Sequence, residues 1–563
     1  MSENPSDFSF NTMKNFNWLL DGSIVGLYLL ITMFAGLYVR KYVGKVEHFL
    51  VAGREMDVYL GIASLAATEF GIVTCMYTAQ NGFKYGFSGA TPGILMALAM
   101  LFVGLTGFVI KPLRDSGVMT IPEIIEKRFG SRIRMAAGIV IVLGGLLNMG
   151  VFLRIGGQFL VTVAGLNVGY LEITMTILLI GVAIYTIFGG MLSVLITDFL
   201  QFVVMSIGLI AVTILILYTV GWDTLVNAVE INHGAGGFNP FVHPEMGWQY
   251  VAFNGLLNLA AVLTWQTTIA RVLAAKDSKT GQKIYTRTSF FFVCRFLIPG
   301  IWGIAALAVL GWFPLKSLNP SEVSNLSPIV QQKIEASKAP NALIVKSDDE
   351  FAGLSADEQK YTLTQTEADS IPNSTKEKLQ NISLDGMPKY LGLVVPIGLM
   401  GILIAAMLAA DMSTDSSYML TWASVIYNDI LAPFRKGWSE KRGLLWNRFI
   451  VAFIGIFLLL YGLWFKLEGD LWTYLGLTGT IYLASISVLL VAACYWKRAN
   501  SWGAVASIFV SAAIPLGFLI LEKTNIDLSK EIGPYYSGIA AYICSALAMI
   551  IGSLLKPKGE IEL

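Results

Sequence analysis

Charged side chains are scarce in this chain, at 14% of its 563 residues, and it has only three histidines and four cysteines. A water-soluble domain cannot cover its surface with so few charges, so the composition excludes that class. Apolar residues make up 55% of the chain, and the mean hydropathy is +0.65. These values indicate a polytopic membrane protein. The net charge of +1 does not favour a nucleic-acid partner.

Motifs for nucleotide binding and catalysis are also missing. The sequence has no G-x-x-x-x-G-K-S/T phosphate cradle and no Ser/His/Asp or paired-carboxylate pattern typical of an enzyme site. The four cysteines fall in apolar segments, where small buried residues are expected rather than disulfides or metal ligands. Channels usually repeat a short filter segment, and none is present. We therefore expect no enzyme and no cofactor, and transport driven by an ion gradient is the leading class.

Thirteen apolar stretches are long enough to cross about 30 Å of hydrocarbon as helices. They lie near 18–39, 56–80, 86–111, 134–164, 171–188, 191–220, 248–272, 288–313, 389–431, 446–466, 470–495, 501–521 and 535–555. The polar residues 1–17 lack the basic start of a signal peptide, so the first stretch is predicted to be retained. The predicted organisation is an extracellular segment 1–17, a polytopic domain 18–555 and a tail 556–563.

Basic residues cluster on one side of the predicted membrane, first at 40–54 and 111–134 and then at 271–287, 435–442, 497–498 and 556–558. Loops rich in lysine and arginine stay in the cytoplasm. This pattern places the N terminus outside and the C terminus inside a plasma (inner) membrane, with the lipid bilayer as the surrounding partner. The polar segment 314–388 then lies outside, where we expect a cap over the mouth rather than a partner-binding module.

The most unusual segment is Ala410–Ser417, a cluster of hydroxyls and carboxylates that follows an uncharged run from Leu391. Polar groups at membrane depth cost free energy unless they are bound, so they indicate a functional site. At helical spacing Ala410, Ser413, Thr414 and Ser417 share one face. Several oxygens converging there suit a hard cation such as sodium. Asp411 and Asp415 fall on other faces.

Several segments together resemble the sodium/solute symporter family, which includes bacterial sodium/galactose, sodium/proline and sialic acid transporters. The matching segments are 46–54 (VEHFLVAGR), 120–129 (TIPEIIEKRF), Gly189-Gly190 with 197–201 (TDFLQ), 271–276 (RVLAAK), and Leu408-Ala409-Ala410 with Met412-Ser413-Thr414. The resemblance covers roughly residues 18–520. It implies an all-α integral membrane fold of about thirteen helices, with a LeuT-like core of two inverted five-helix repeats, about 56–220 and 248–495, and extra N- and C-terminal helices.

The resemblance also implies a main sodium site. The first core helix, Val58–Gln80, is expected to break near Thr68–Gly71, because freed carbonyls at membrane depth can bind a cation. By position, the family's sodium ligands correspond to the carbonyls of Ala67, Phe70 and Ala410 and the hydroxyls of Ser413 and Thr414. The alternative is that these hydroxyls only bond back to their own helix.

A second sodium is also implied by the resemblance. In sialic acid transporters, an aspartate corresponding to Asp198 and serines corresponding to Ser413, Ser416 and Ser417 form an additional site. Asp198 lies in an apolar helix, where an unpaired carboxylate must find a cation or a proton. In the alternative, Asp198 serves as a gate or scaffold group.

Candidate solute contacts are fewer. Arg154 aligns with the arginine that binds the substrate carboxylate in sialic acid transporters, although it could instead reach the outer interface. Glu69 departs from the relatives, and it could bind a substrate amine, pair with Arg154, carry a proton or cap the broken helix. Glu69 and Arg154 together would fit an amino acid or an aminated sugar acid. Arg295 has no evident partner. Thr74, Asn258, Trp265 and Gln266 are further candidate contacts.

These observations predict a sodium-coupled symporter that imports a small polar solute by alternating access. A carboxylate-bearing solute is favoured: sialic acid, a sugar acid, an amino acid or a monocarboxylate. A sodium/sugar symporter of the glucose or galactose type is one alternative, and a membrane solute sensor without flux is another. Sodium and the solute are the expected partners; a monomer is one expectation, and the sequence leaves the oligomeric state open.

Overall fold

The computed structural model describes residues 16–310, 327–336, 344–346, 352–353, 359, 362–364, 367, 373–431, 434, 437–465 and 470–555. Of the predicted outer segment 1–17, only residues 16 and 17 are described. The predicted tail 556–563 lies outside the described residues, as does much of the segment 314–388.

Helices account for nearly all of the described secondary structure. In chain order they are α1 (Leu20–Val39), α2 (Val46–Val51), α3 (Val58–Glu69), α4 (Ile72–Tyr85), α5 (Thr91–Thr106), α6 (Ile110–Asp115), α7 (Ile121–Phe129), α8 (Ser131–Met149), α9 (Phe152–Val163), α10 (Leu171–Thr219), α11 (Trp222–His233), α12 (Gly247–Thr264), α13 (Gln266–Ala274), α14 (Ser278–Leu310), α15 (Pro328–Ala336), α16 (Asn373–Val394), α17 (Leu399–Val425), α18 (Glu440–Trp464), α19 (Leu471–Tyr495), α20 (Ser501–Thr524), α21 (Ile526–Ile532) and α22 (Pro534–Leu555). Two short strands, β1 (Ile344–Lys346) and β2 (Thr362–Thr364), pair in parallel with Ile344 opposite Thr362.

Among the described residues, eleven helical segments are long and apolar enough to cross a membrane. Several of them are interrupted, among them Ile72–Thr106 at the 3₁₀ turn Gly86–Ala90 and Leu171–Thr219 at Gly190. The predicted stretches 56–80 and 86–111 meet close to the first of these interruptions, and 171–188 and 191–220 meet at the second. The all-helical membrane fold is confirmed, and the total of thirteen crossings stays a prediction.

Gly190 shows why the chain turns inside α10. Its φ of +55° lies in the left-handed region that disfavours side chains. An added Cβ would also lie 2.6 Å from the Phe49 carbonyl oxygen. Only glycine meets both the backbone and the packing requirement here.

The first helix of each predicted repeat is broken. Between α3 and α4, Phe70 leaves the helical region with φ −111° and ψ 75°, which confirms the break expected near Thr68–Gly71. Between α12 and α13, Trp265 is extended with φ −64° and ψ 116°. This second break was not predicted, because 248–272 reads as one continuous apolar stretch. Paired interruptions in two halves of a transporter indicate a binding site between them.

The predicted stretch 389–431 is wrong at its start. Residues 389–394 end the separate helix α16, and α17 begins only at Leu399. α16 is largely polar over its first two turns, so its sequence carries no membrane-helix pattern. Its Ser383 and Asp385 accept hydrogen bonds from Gln80 of α4 (3.1 Å) and Gln158 of α9 (2.7 Å). These contacts hold the end of the predicted outer loop against the core helices.

Asp21 of α1 supports the helix that carries the polar patch. It is fully buried, and its Oδ1 accepts backbone hydrogen bonds from Gly398 (2.7 Å) and Gly401 (2.8 Å) at the start of α17. A carboxylate at a helix N terminus is favoured by the unpaired amides and the helix dipole. The additional N-terminal helix is thereby tied to α17.

Candidate functional site

The predicted sodium residues lie where the α3/α4 break meets α17. Thr414 donates a hydrogen bond of 2.9 Å from Oγ1 to the Thr68 carbonyl, and Ala67 accepts one from the Phe70 amide at 3.3 Å. A Cβ added to Gly71 would lie 2.7 Å from Thr414 Oγ1, so a glycine permits this close approach. Ala67, Phe70 and Thr414 are all buried.

Ser413 completes the arrangement on the other side. Its fully buried hydroxyl donates to Asp198 Oδ1 at 2.8 Å, and Ala410 precedes it by one turn on α17. A hydroxyl that donates its proton keeps two lone pairs that can face a cation. The Ser413 and Thr414 hydroxyls therefore both donate their protons and keep lone pairs for an ion. That Ala67, Phe70, Ala410, Ser413 and Thr414 bind sodium stays a prediction.

Asp198 already has a positive partner. Arg271 of α13, with an exposed side-chain fraction of 0%, places Nη2 3.0 Å from Asp198 Oδ2. Ser64 donates to the same oxygen at 2.5 Å. Arg271 also donates to the hydroxyls of Thr68 (2.5 Å) and Ser417 (2.6 Å). The guanidinium thus joins helices from three parts of the chain.

The three serines predicted to hold a second sodium ion with Asp198 therefore have different partners. Ser413 contacts Asp198, Ser417 contacts Arg271, and Ser416 donates to the Ser413 carbonyl of its own helix at 3.2 Å. Arg271 was missing from the sequence-based candidates, although it opens one of the family-like segments. Its position between two apolar runs was the signal that could have identified it.

A cavity of about 80 Å³ lies between the two broken helices. Thr68, Gly71 and Thr414 form part of its wall, so it reaches the candidate sodium residues. Most of the remaining wall is aromatic or aliphatic. Its aromatic members are Tyr77, Phe152, Trp265, Phe296, Tyr418 and Trp472. A solute in this cavity would therefore lie directly beside the ion.

The structure brings four of the six predicted solute contacts to this cavity: Glu69, Thr74, Asn258 and Trp265. The other two lie elsewhere. Arg154 donates to the carbonyls of Gly462 (2.9 Å) and Leu463 (3.5 Å), which compensates the C-terminal end of α18. Gln266 faces a smaller pocket with Thr120 and Thr421.

Arg295, for which the sequence predicts no partner, forms an ion pair with Glu69 in the structure. Its Nη1 lies 3.2 Å from Glu69 Oε2, and its Nη2 donates to the Tyr77 hydroxyl at 2.8 Å and to Thr74 Oγ1 at 3.3 Å. The suggested pairing of Glu69 with Arg154 is therefore wrong, and so is the expectation that Arg295 lacks a partner. Both residues line the cavity, which contains a buried ion pair.

Glu69 is held by more than Arg295. Its Oε1 accepts hydrogen bonds of 2.9 Å from the hydroxyls of both Thr267 and Thr268, at the start of α13. The side chain at the first break is thus anchored to the residues just past the second break. The sequence does not predict that these threonines bind Glu69. They lie about 200 residues from Glu69 in the chain, and only the fold brings them together.

Ion pairs also lie on both sides of the cavity. Lys84, at the end of α4, is 3.6 Å from Asp470, which caps α19 by accepting from the Thr473 amide at 2.7 Å. Toward the other end, Arg134 contacts Asp429 at 2.8 Å in the π-helical segment Ile426–Ile430 that continues α17. Each of these pairs links two separate helices.

Asp411 and Asp415 remain outside these networks. Each is 2% exposed, and within the described part of the chain Asp411 Oδ2 and Asp415 Oδ1 have no hydrogen-bond partner. Asp411 faces α9, where a Cβ on Gly156 would lie 2.8 Å from its Oδ1. The two side chains lie next to the sodium residues in the sequence of α17 but on other faces of that helix.

Two histidines pack together beside the end of α4. The ring of His233, at the end of α11, lies 6.0 Å from the His243 ring, and its Nε2 is 3.1 Å from the Phe83 carbonyl oxygen. Burial lowers the pKa of His233 to about 4, an effect that the Phe83 carbonyl partly opposes. Burial also lowers the pKa of His243.

Known proteins share this sequence pattern and architecture. The model of the family described as "Sodium:solute symporter family" matches residues 49–329 and 375–511. Sodium/glucose cotransporter 4 of Danio rerio is 25% identical over 534 residues, which covers 89% of this chain and 72% of that protein. The sodium/myo-inositol cotransporter of Mus musculus is 24% identical over 586 residues, covering 95% and 73%.

A solved structure has the same fold. It is the substrate-bound outward-open state of a sodium-coupled sialic acid symporter, with a TM-score of 0.71, 17% identity, and coverage of 96% of this chain and 99% of that one. At this identity the likeness establishes the LeuT-like fold alone. The expected fold class is thereby confirmed.

Proposed function

Because the chain belongs to the sodium:solute symporter family, we propose that it imports a small carboxylate-bearing solute together with sodium by alternating access. The observation that carries this proposal is the shared wall between cavity and ion residues. Thr68, Gly71 and Thr414 line the cavity, and Thr414 also contacts the α3/α4 break. A solute and an ion that contact the same residues favour the same conformation, which couples their binding.

In the proposed cycle, sodium enters from outside and binds Ala67, Phe70, Ala410, Ser413 and Thr414. The ion stabilises the contact between α17 and the broken helix, and the solute then occupies the cavity. Rocking of the two repeats exposes both to the cytoplasm. A potential of 100 mV contributes about 2.3 kcal/mol for each imported sodium ion, so one ion suffices to concentrate a neutral solute about fiftyfold.

The proposed preference for a carboxylate-bearing solute rests on Arg295. Arg154, the residue predicted from the sequence for this role, lies away from the cavity. A guanidinium can bind a carboxylate through two parallel hydrogen bonds. Arg295 lies in the cavity wall, and its Nε has no hydrogen-bond partner among the described residues. Its Nη2 contacts are to neutral hydroxyls, which a carboxylate can displace.

One sodium ion per cycle is the stoichiometry we propose. Arg271 occupies the position next to Asp198 where a second cation would be held. A sodium bound by Asp198, Ser413, Ser416 and Ser417 would have to displace a guanidinium that makes several buried hydrogen bonds.

For the orientation in the membrane, we propose an N terminus outside and a cytoplasmic C terminus, which the positive-inside pattern of the basic residues supports.

Uptake by proteoliposomes tests the function. Radiolabelled carboxylates, amino acids and glucose would be offered under an inward sodium gradient, with potassium replacing sodium as the control. Sodium-driven accumulation of a carboxylate-bearing solute supports the proposal. Accumulation of glucose alone would replace it with the sodium/sugar alternative, to which the similarity to sodium/glucose cotransporters lends support. Sodium-dependent binding without accumulation would indicate a sensor.

A further inference from the structure

The pairing of Glu69 with Arg295 in the cavity points to a zwitterion, and we propose that the transported solute is a small aliphatic α-amino acid. This inference rests on the proposed function and narrows its substrate class. The solute carboxylate would bind Arg295, its ammonium group would bind Glu69, and its side chain would contact the aromatic wall.

Charge balance distinguishes the solute classes. Glu69 and Arg295 are 3% and 8% exposed and form a neutral pair. A solute with only a negative charge would place a second carboxylate beside Glu69, and the two would share one guanidinium. A solute with only a positive charge would place a second cation beside Arg295 and be repelled by it. Only a ligand with both charges lets each buried group keep an opposite partner, which matters because an unpaired buried charge is costly.

The hydrogen bonds allow this insertion. Glu69 Oε1 is held by Thr267 and Thr268, whereas Arg295 is the hydrogen-bond partner that the described residues offer to Oε2. The carboxylate therefore stays in place when Arg295 turns to a ligand. Oε2 is then available to an ammonium group, and Arg295 Nε is available to a carboxylate.

The rest of the wall fits an aliphatic body better than a polyhydroxylated one. Tyr77, Phe296 and Trp472 pack on one another with ring centroids 4.9 to 5.6 Å apart. Both indole donors on this wall already have partners, since the Trp265 indole donates to the Tyr418 hydroxyl and the Trp472 indole donates to Asn254. A sugar needs a hydrogen-bond partner for each buried hydroxyl.

A matched series of ligands tests the inference without any mutation. Sodium-driven uptake of labelled alanine, valine and leucine would be competed with the deaminated acid of valine (3-methylbutanoate), its decarboxylated amine (2-methylpropylamine) and glucose. The amino acids should compete on the order of a hundredfold better than either single-charge analogue. Equal or better competition by 3-methylbutanoate or glucose would overturn the zwitterion while leaving sodium-coupled symport intact.

The variant Glu69→Gln adds a second readout. It removes the acceptor charge for the ammonium group but leaves Arg295, so selectivity should shift toward 3-methylbutanoate by at least about tenfold. An unchanged ratio of the two affinities in a folded variant would contradict the assignment. If no solute accumulates with sodium in the wild-type protein, the symport proposal fails, and this inference fails with it.

Discussion

Replacing Thr414 with valine tests the sodium site at the atom that joins its two sides. The substitution keeps the shape of the side chain but removes the hydroxyl that lies 2.9 Å from the Thr68 carbonyl. Sodium would lose one of five proposed oxygen ligands. A hydrogen-bonding group that acts on a charge contributes about 1.5–3 kcal/mol, and 1.4 kcal/mol is a factor of ten. The half-saturating sodium concentration should therefore rise roughly 10- to 150-fold.

The assay is the sodium dependence of the melting temperature in detergent, followed by the sodium dependence of uptake. A ligand that binds only the folded state raises stability according to its concentration relative to Kd, so the sodium titration should shift to higher concentration. Thr421→Val is the matched control, because the Thr421 hydroxyl on the same helix donates to the Ser417 carbonyl at 2.5 Å. If Thr414→Val titrates like the control, the proposed coordination is refuted.

Gly71→Ala should abolish stabilisation by sodium, because the added methyl would lie 2.7 Å from the Thr414 hydroxyl. Gly300→Ala is the control and should keep this stabilisation, because its methyl would lie 3.8 Å from the nearest atom, the Thr78 carbonyl oxygen. Asp198→Ala leaves the Arg271 guanidinium buried without its carboxylate and should destabilise the protein by roughly 3–5 kcal/mol. Adding Arg271→Met should restore part of the lost melting temperature, and a further drop would contradict a direct charge pair. Because His233 has a pKa of about 4 in the fold and about 6.5 when unfolded, its contribution to stability is present above pH 6.5 and is lost as the pH falls toward 4. His233→Gln should therefore flatten the pH dependence of the melting temperature in that window, and an unchanged slope would exclude His233 as its source.

The break in the first core helix could be predicted, but the break at Trp265 could not. Residues 68–71 belong to a family-like pattern, and a glycine lies at their end. The second break has no glycine or proline within Thr264–Gln266, so local propensity does not reveal it. It depends on packing, because Trp265 reaches Tyr418 and the following threonines reach Glu69.

Helix α16 was missed for a different reason. Its residues 373–382 are polar and include charges of both signs, so hydropathy assigned them to a loop. The helix packs against α4, α9 and α14 in the structure. These partners lie far away in the sequence, so its polar first half gives no sign of them.

The sequence by itself determined the membrane class and the positions of most apolar helices, and it indicated a hard cation beside α17. These follow from composition, from the length needed to cross a bilayer and from oxygens repeated along one helix, all of which are local properties. The individual residues proposed to bind sodium came from the resemblance to the symporter family. It also indicated that buried charges such as Asp198, Glu69 and Arg154 need partners.

Only the tertiary structure decided which partners these are. Asp198 pairs with Arg271 across 73 residues and Glu69 pairs with Arg295 across 226, while Arg154 binds carbonyls at the end of α18. In a membrane interior the cost of an unpaired charge demands a partner but does not specify one. The packing of the broken helices makes that choice, because it brings the ends of separate segments within hydrogen-bonding distance.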